Sequence, residues 1–179
     1  MRVLGIDPDT QNTGAAVCED GELISVGRME CNRTGNEALV YNIDRGVDFF
    51  SKFNEVDVIC IESQQVTSQW TRKGVNSNHI VQLARVCGAM LACAKMVSPD
   101  ARVLLPLPRE WKGTIPKTVT HERIAKKHNF IYEKSPRHVK VLSVPDSVEL
   151  KTVVELSNWT HVLDAVGLAD YGSLKAARF

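Results

Sequence analysis

The 179-residue sequence predicts a mixed α/β domain, with three antiparallel strands and then two parallel ones in a single five-stranded sheet flanked by helices. Three observations carry this expectation. An apolar run over residues 2–7 opens the chain. Two further strand-like runs, 14–19 and 23–31, meet at Asp20-Gly21, a pair suited to a two-residue hairpin turn because both positions need positive φ. Leu39, Ile43, Val47, Phe50 and Phe53 then recur at helical spacing through 36–53, and a second buried run follows at 56–61. A strand, a helix and a strand in that order form a right-handed crossover, which sets the second buried run parallel to the first.

The later elements follow the same logic. Residues 78–96 carry apolar side chains around most of a helix circumference, so this helix is expected to be covered by the sheet and by a second protein chain. A fifth strand at 102–105 is ended by Pro106 and Pro108, and helix 118–128 comes after it. Within 129–157, Pro136 and Pro145 punctuate a short strand near 139–144, and a helix is expected over 146–156. The last helix starts near Asn158. No internal repeat or interdomain linker interrupts residues 1–179, which read as one domain.

Composition narrows the class. Five cysteines, with no Cys-x-x-Cys pair and mostly inside apolar runs, read as reduced residues of a cytosolic protein. No signal peptide or membrane-spanning run is expected, which places the protein in the cytoplasm with no membrane partner. The net charge of +1 hides an asymmetry: residues 102–140 carry ten Lys or Arg against three acids, a local +7 in a chain otherwise at −6. Such a patch suits either a phosphate-backbone footprint or a solvated basic helix face.

The chemistry begins at Asp7. An acid on the last residue of a buried strand loses hydration and needs a cation or a base as compensation. The second buried strand also ends on an acid, Glu62. Adjacent parallel strands bring both to one carboxyl edge, where open α/β sheets build their sites, and a divalent metal with oxygen ligands would relieve their repulsion. On the last helix His161 and Asp164 are three apart and share a face. They suit metal ligation; the alternative is a capping histidine beside a solvent-facing acid, a pairing that such short spacings produce freely. Trp70, with Arg72 and Lys73 in the polar stretch 63–78, either stacks on an unpaired base or folds back onto the sheet.

Taken in order, Gly5-Ile6-Asp7-Pro8 with Thr13-Gly14, Ile61-Glu62, Leu83-Ala84-Arg85 through Gly88, and His161-Val162-Leu163-Asp164-Ala165 resemble the RuvC-like Holliday-junction resolvases of the RNase H-like superfamily. Trp111-Lys112-Gly113 with Pro116-Lys117 looks like the DNA-facing segment of phage-type members. Two departures stand out. Asp9 occupies a position that is usually Gly in the family, so the first turn differs or carries an extra acid. Gln64 and Gln65 stand where bacterial members tend to place a junction-probing aromatic, which leaves Trp70 as the candidate substitute.

The resemblance implies an RNase H-like fold and a metal-dependent endodeoxyribonuclease. Asp7 would bridge two Mg²⁺ ions, for which Mn²⁺ substitutes, with Glu62 completing one site and Asp164 and His161 the other. Cleavage would leave 5′-phosphate and 3′-hydroxyl ends. Paired nicks across a four-way junction call for a homodimer, expected through helix 78–96, with Arg72, Lys73, Lys112 and Lys117 on phosphates. The rivals are another nuclease of this fold, acting on branched DNA or RNA–DNA hybrids, and a junction-binding protein without catalysis.

Overall fold

A computed structural model describes residues 1–63, 77–152 and 159–178. The chain runs β1 (Arg2–Asp7), β2 (Asn12–Glu19), β3 (Glu22–Glu30), α1 (Gly35–Ser51), β4 (Val58–Ile61), α2 (Ser77–Val97), β5 (Arg102–Leu104), α3 (Pro108–Trp111), α4 (Lys117–Lys127), β6 (Ile131–Lys134), β7 (Val139–Ser143), β8 (Glu149–Leu150) and α5 (Thr160–Ala176). The main sheet has the order β5-β4-β1-β2-β3-β8. β2 runs antiparallel to both of its neighbours, β1 and β3, and β4 and β5 add in parallel on the other side of β1, as expected. The hairpin between β2 and β3 turns on Asp20 (φ 51°) and Gly21 (φ 89°).

Strand parity decides what each face of the sheet carries. Leu4, Ile6, Ala15, Val17, Ile59 and Ile61 face the layer of α1 and α2, where Phe49, Phe50, Phe53, Val86, Met90 and Ala94 close the core. Val3, Val58 and Cys60 take the opposite face together with Leu168 of α5. Val162, Leu163, Ala165, Val166 and Ala169 join the neighbouring cluster of Ala16, Cys18, Ile124, Phe130 and Trp159. Positions 3, 5 and 7 of β1 alternate with 4 and 6, and position 62 continues the series 58 and 60, so parity alone directs both strand-ending acids toward α5.

Helix α5 lies unusually close to the sheet. A Cβ on Gly5 would meet the Ala165 carbonyl oxygen at 2.1 Å and the Ala169 nitrogen at 2.4 Å; one on Gly14 would meet the His161 carbonyl oxygen at 2.1 Å. Backbone cannot yield to such contacts, so these two glycines permit α5 to rest on β1 and β2.

Two expectations need correction. The helix expected over 146–156 does not form within the described residues: Val148 N–H bonds the Pro145 carbonyl in a turn, and β8 then adds in parallel to β3 as a sixth strand. Thr152 Oγ1 brackets Arg28 from both sides, accepting from its N–H and donating to its carbonyl, each at 2.9 Å. The open edge of β3 takes these backbone groups in place of a helix: the Lys151 N–H also donates to the Val26 carbonyl. Ahead of it, β6 pairs with β7 in a separate two-stranded sheet, of which only the second strand was expected. In addition, one helical segment, Asn78–Val97, reaches the length and apolarity of a membrane span, with a mean hydropathy of 1.6. Only 22% of that window is buried within the chain. Val86, Met90 and Ala94 face the core, and Val81, Ala84, Gly88, Ala92 and Met96 on the outward face of α2 are exposed.

Candidate active site

Asp7 ends β1, Glu62 follows the last residue of β4, and His161 and Asp164 lie in the first turns of α5. Asp7 and Glu62 are each 7% exposed and Asp164 2%, a degree of burial that ionised carboxylates accept only with strong partners.

Each acid has its own partners. His161 Nδ1 lies 2.7 Å from Asp7 Oδ2. The Trp111 indole N–H donates to Glu62 Oε2 at 2.7 Å, and Lys112 Nζ approaches the same oxygen at 3.4 Å. Lys117 Nζ is 2.6 Å from Asp164 Oδ2, while His121 Nε2 is 3.0 Å from Asp164 Oδ1. Asp7, Glu62, His161 and Asp164 therefore gather at one sheet edge, although of these four only Asp7 and His161 are in hydrogen-bond contact.

Electrostatics separates the acids. Burial pushes the Asp7 carboxyl up to about 6, aided by the negative charges of Asp164 and Glu62 and opposed by His161. Asp164 moves the other way, to about 2: burial would raise it, but the His121 hydrogen bond and the charges of Lys117, His121 and Lys112 outweigh that cost. Burial is the largest influence on His161 and would lower it, yet the bond to the Asp7 carboxylate and the charges of Asp7 and Asp9 together outweigh it and raise the imidazole from its usual value.

Lys112 and Lys117, expected on DNA phosphates, turn onto Glu62 and Asp164. Trp70, Arg72 and Lys73 lie outside the described residues. Two contributors were missed. Trp111 was read as part of a DNA-facing run, but its indole faces Glu62. His121 drew no notice, although it stands four residues after Lys117 and thus on the same face of α4. That spacing was the available signal. Asp9 is held in the first turn, where its Oδ1 accepts the N–H groups of Gln11 (2.9 Å) and Asn12 (3.2 Å), closing that turn without glycine, and its charge acts on His161.

The donor chemistry, three carboxylates and an imidazole, fits a hard divalent cation, and Asp7 is buried with two further acids acting on it and His161 as its partner. Among the described residues no three His, Cys, Asp or Glu side chains converge on one point, because lysine ammoniums and ring nitrogens occupy the oxygens. The residues fit a metal once Lys112 and Lys117 release theirs.

Comparison with solved structures settles the fold. The RuvC structure from Thermus thermophilus in complex with a Holliday-junction substrate superposes with a TM-score of 0.65 at 14% identity, covering 99% of this chain and 96% of that one. The chain has a RuvC-like fold. A second T. thermophilus RuvC structure gives a TM-score of 0.62 at 16% identity with the same coverage. No family model and no curated protein matches the sequence. The expected five-stranded RNase H-like sheet is present with β8 added at its edge.

Proposed function

We propose that this RuvC-like chain is a cytoplasmic, metal-dependent endonuclease that resolves four-way DNA junctions by paired symmetric nicks. The observation that carries the reading is the gathering of Asp7, Glu62, His161 and Asp164 at one carboxyl edge of this fold. Asp7, Glu62 and Asp164, with neutral His161, would hold the divalent cations, and two such ions would supply charge neutralisation at the scissile phosphate and an activated water as nucleophile.

The protein's own residues do the remaining work. Lys112 and Lys117 stand beside the acids and exchange a carboxylate for a backbone phosphate as substrate enters, with Arg72 and Lys73 gripping further along the strand. Trp70 takes the role of the stacking aromatic at the junction.

Pairing of the nicks comes from a homodimer through α2. Val81, Ala84, Gly88, Ala92 and Met96 form an exposed stripe of apolar and small residues at helical spacing, and Val40 and Ile43 of α1, a helix packed on α2, are exposed as well. Small side chains allow close helix approach, so a second copy across a two-fold axis would cover this face.

The test is incubation of the purified protein and Mg²⁺ with four-way junctions, RNA–DNA hybrids and linear duplex. Paired nicks confined to the junction, ending in 5′-phosphate and 3′-hydroxyl, are expected. Cleavage of hybrids in preference to junctions would reassign the substrate, and junction binding without cleavage would leave a structural role alone.

A further inference from the structure

A carboxylate is held at its backbone end, but its terminal torsion is broad and a metal ligand needs that torsion fixed. In this chain the fixing groups come from a part of the sequence that supplies none of the four candidate ligands. We propose that Trp111 and His121 are positioning residues of the site, each donating a ring N–H that locks one oxygen of Glu62 and of Asp164 respectively. This deepens the endonuclease reading and rests on it.

For Trp111 the geometry is built from several constraints. Pro106 and Pro108 stop β5 and start the four-residue α3, whose Leu107 N–H is held by Glu110 Oε2 at 2.6 Å. The indole ring packs beside Val3, Val58, Cys60 and Leu168. It also lies against Gly167 of α5 so closely that a Cβ there would come within 2.5 Å of Trp111 Cζ3. With its ring fixed on the helix that bears Asp164 and its N–H 2.7 Å from Glu62, Trp111 ties the β4 acid to α5. Lys112 Nζ sits 4.7 Å from the centroid of the same indole, so the ring face also holds the neighbouring cation.

His121 is 2% exposed, and in the tautomer with its proton on Nε2 it donates to Asp164 Oδ1 at 3.0 Å. His121 shares the buried side of α4 with Ile124 and Ala125, and α4 packs on α5, so the ring is enclosed where it meets Asp164. Both donors belong to rings held in place by packing, so each fixes the direction of a carboxylate oxygen rather than only attracting its charge.

The experiment uses the full chain without DNA. Mn²⁺ binding is measured by calorimetry for the wild type, Trp111→Phe, His121→Leu, His121→Gln and, as a control, Asp7→Asn, with thermal melts on each. Trp111→Phe and His121→Leu should weaken Mn²⁺ about tenfold, while His121→Gln, which restores a donor near the Nε2 position, should recover most of the loss. The indole N–H signal of Trp111 in ¹⁵N-labelled protein, assigned with Trp111→Phe, should also move in Glu62→Gln and on Mg²⁺ addition. That readout stands even where a variant folds poorly. Unchanged Mn²⁺ affinity in Trp111→Phe and His121→Leu overturns the positioning role and leaves the endonuclease reading intact. A His121→Gln variant as weak as His121→Leu overturns the part given to His121. A Trp111 signal indifferent to Glu62→Gln overturns the part given to Trp111. Absence of Asp7-dependent Mn²⁺ binding in the wild type overturns the reading and the proposal together.

Discussion

Asp7 and His161 stand 154 positions apart in the sequence, and their side chains meet at 2.7 Å between Oδ2 and Nδ1. The contact holds His161 protonated to a pH above the usual imidazole value. Coordination needs the neutral ring, so metal binding must displace that proton. Mn²⁺ affinity and Mg²⁺-dependent nicking should both fall as pH drops through the raised imidazole range. In His161→Asp the acid limb should move to lower pH. Nicking profiles from pH 5.5 to 9 check this, and an unmoved limb in the variant would remove His161 from the ligand set.

Asp7 and Asp164 should respond oppositely to neutralisation. Asp7, pushed up to about 6 by burial, costs the metal-free fold stability that is lost between about pH 4 and pH 6 and stays lost above. Asp164, drawn down to about 2, contributes stability that is present above about pH 4 and disappears as pH falls through 2. At pH 8 without metal, Asp7→Asn should therefore be the more stable protein, and Asp164→Asn the less stable by roughly 2 kcal/mol, with the Asp164 difference closing near pH 2. Urea melts at pH 8, 5 and 2 measure both. Both variants should lose Mg²⁺-dependent nicking, and Asp7→Asn should keep junction binding.

Much of this was readable because strand signals are local. The Asp20-Gly21 turn, the apolar runs ending in Asp7 and Glu62, and the helical period of α1 each state their structure within a few residues. The partners of Glu62 and Asp164 were not readable in that way. Trp111 and His121 reach them through contacts 49 and 43 positions apart, set by how α3 and α4 dock on α5, and no local pattern encodes that docking. Lys112 and Lys117 were recognised as cations of the site, but their facing the acids follows from the same docking. β8 escaped because its pairing depends on the open edge of β3, 124 positions upstream where Thr152 meets Arg28.

Gly14 should matter to the site through backbone alone. It pairs with Asp7 across β1 and β2, and α5 begins directly over it. A Cβ at this position would push the first turn of α5 away, carrying His161 from Asp7. Gly14→Ala should thus destabilise the fold by about 2 kcal/mol or more and abolish nicking, although no candidate ligand is altered. Thermal melts combined with the His161 ring signals in the NMR spectrum report the loss of the Asp7 contact.

Lys117 places one ammonium on Asp164 where a metal is proposed to bind, so its removal should separate two functions. Lys117→Ala should bind Mn²⁺ more tightly in the absence of DNA, because a competing cation is gone. Its junction affinity should fall at every sequence tested, and the slope of log affinity against log salt should shrink by about 1. Calorimetry and salt-titrated binding on the same preparation give both quantities. A weaker metal site together with an unchanged salt slope would mean that Lys117 serves Asp164 and never the phosphate.

The outward face of α2 gives a test of assembly that leaves the acids untouched. Gly88 lies exposed at the centre of the stripe from Val81 to Met96, and a Cβ placed there meets nothing within 4 Å in its own chain. Gly88→Glu should therefore fold normally, with the helix itself gaining roughly 0.5 to 1 kcal/mol from the loss of glycine. A carboxylate at close helix contact would be buried without a partner in a two-fold dimer and repelled by its own symmetry mate. Sedimentation should accordingly show a dimer for the wild type and a monomer for Gly88→Glu. On a four-way junction the variant should give single, uncoupled nicks in place of paired ones, with Mn²⁺ affinity unchanged. A wild-type monomer, or a Gly88→Glu dimer that still cuts in pairs, would move the dimer contact away from α2.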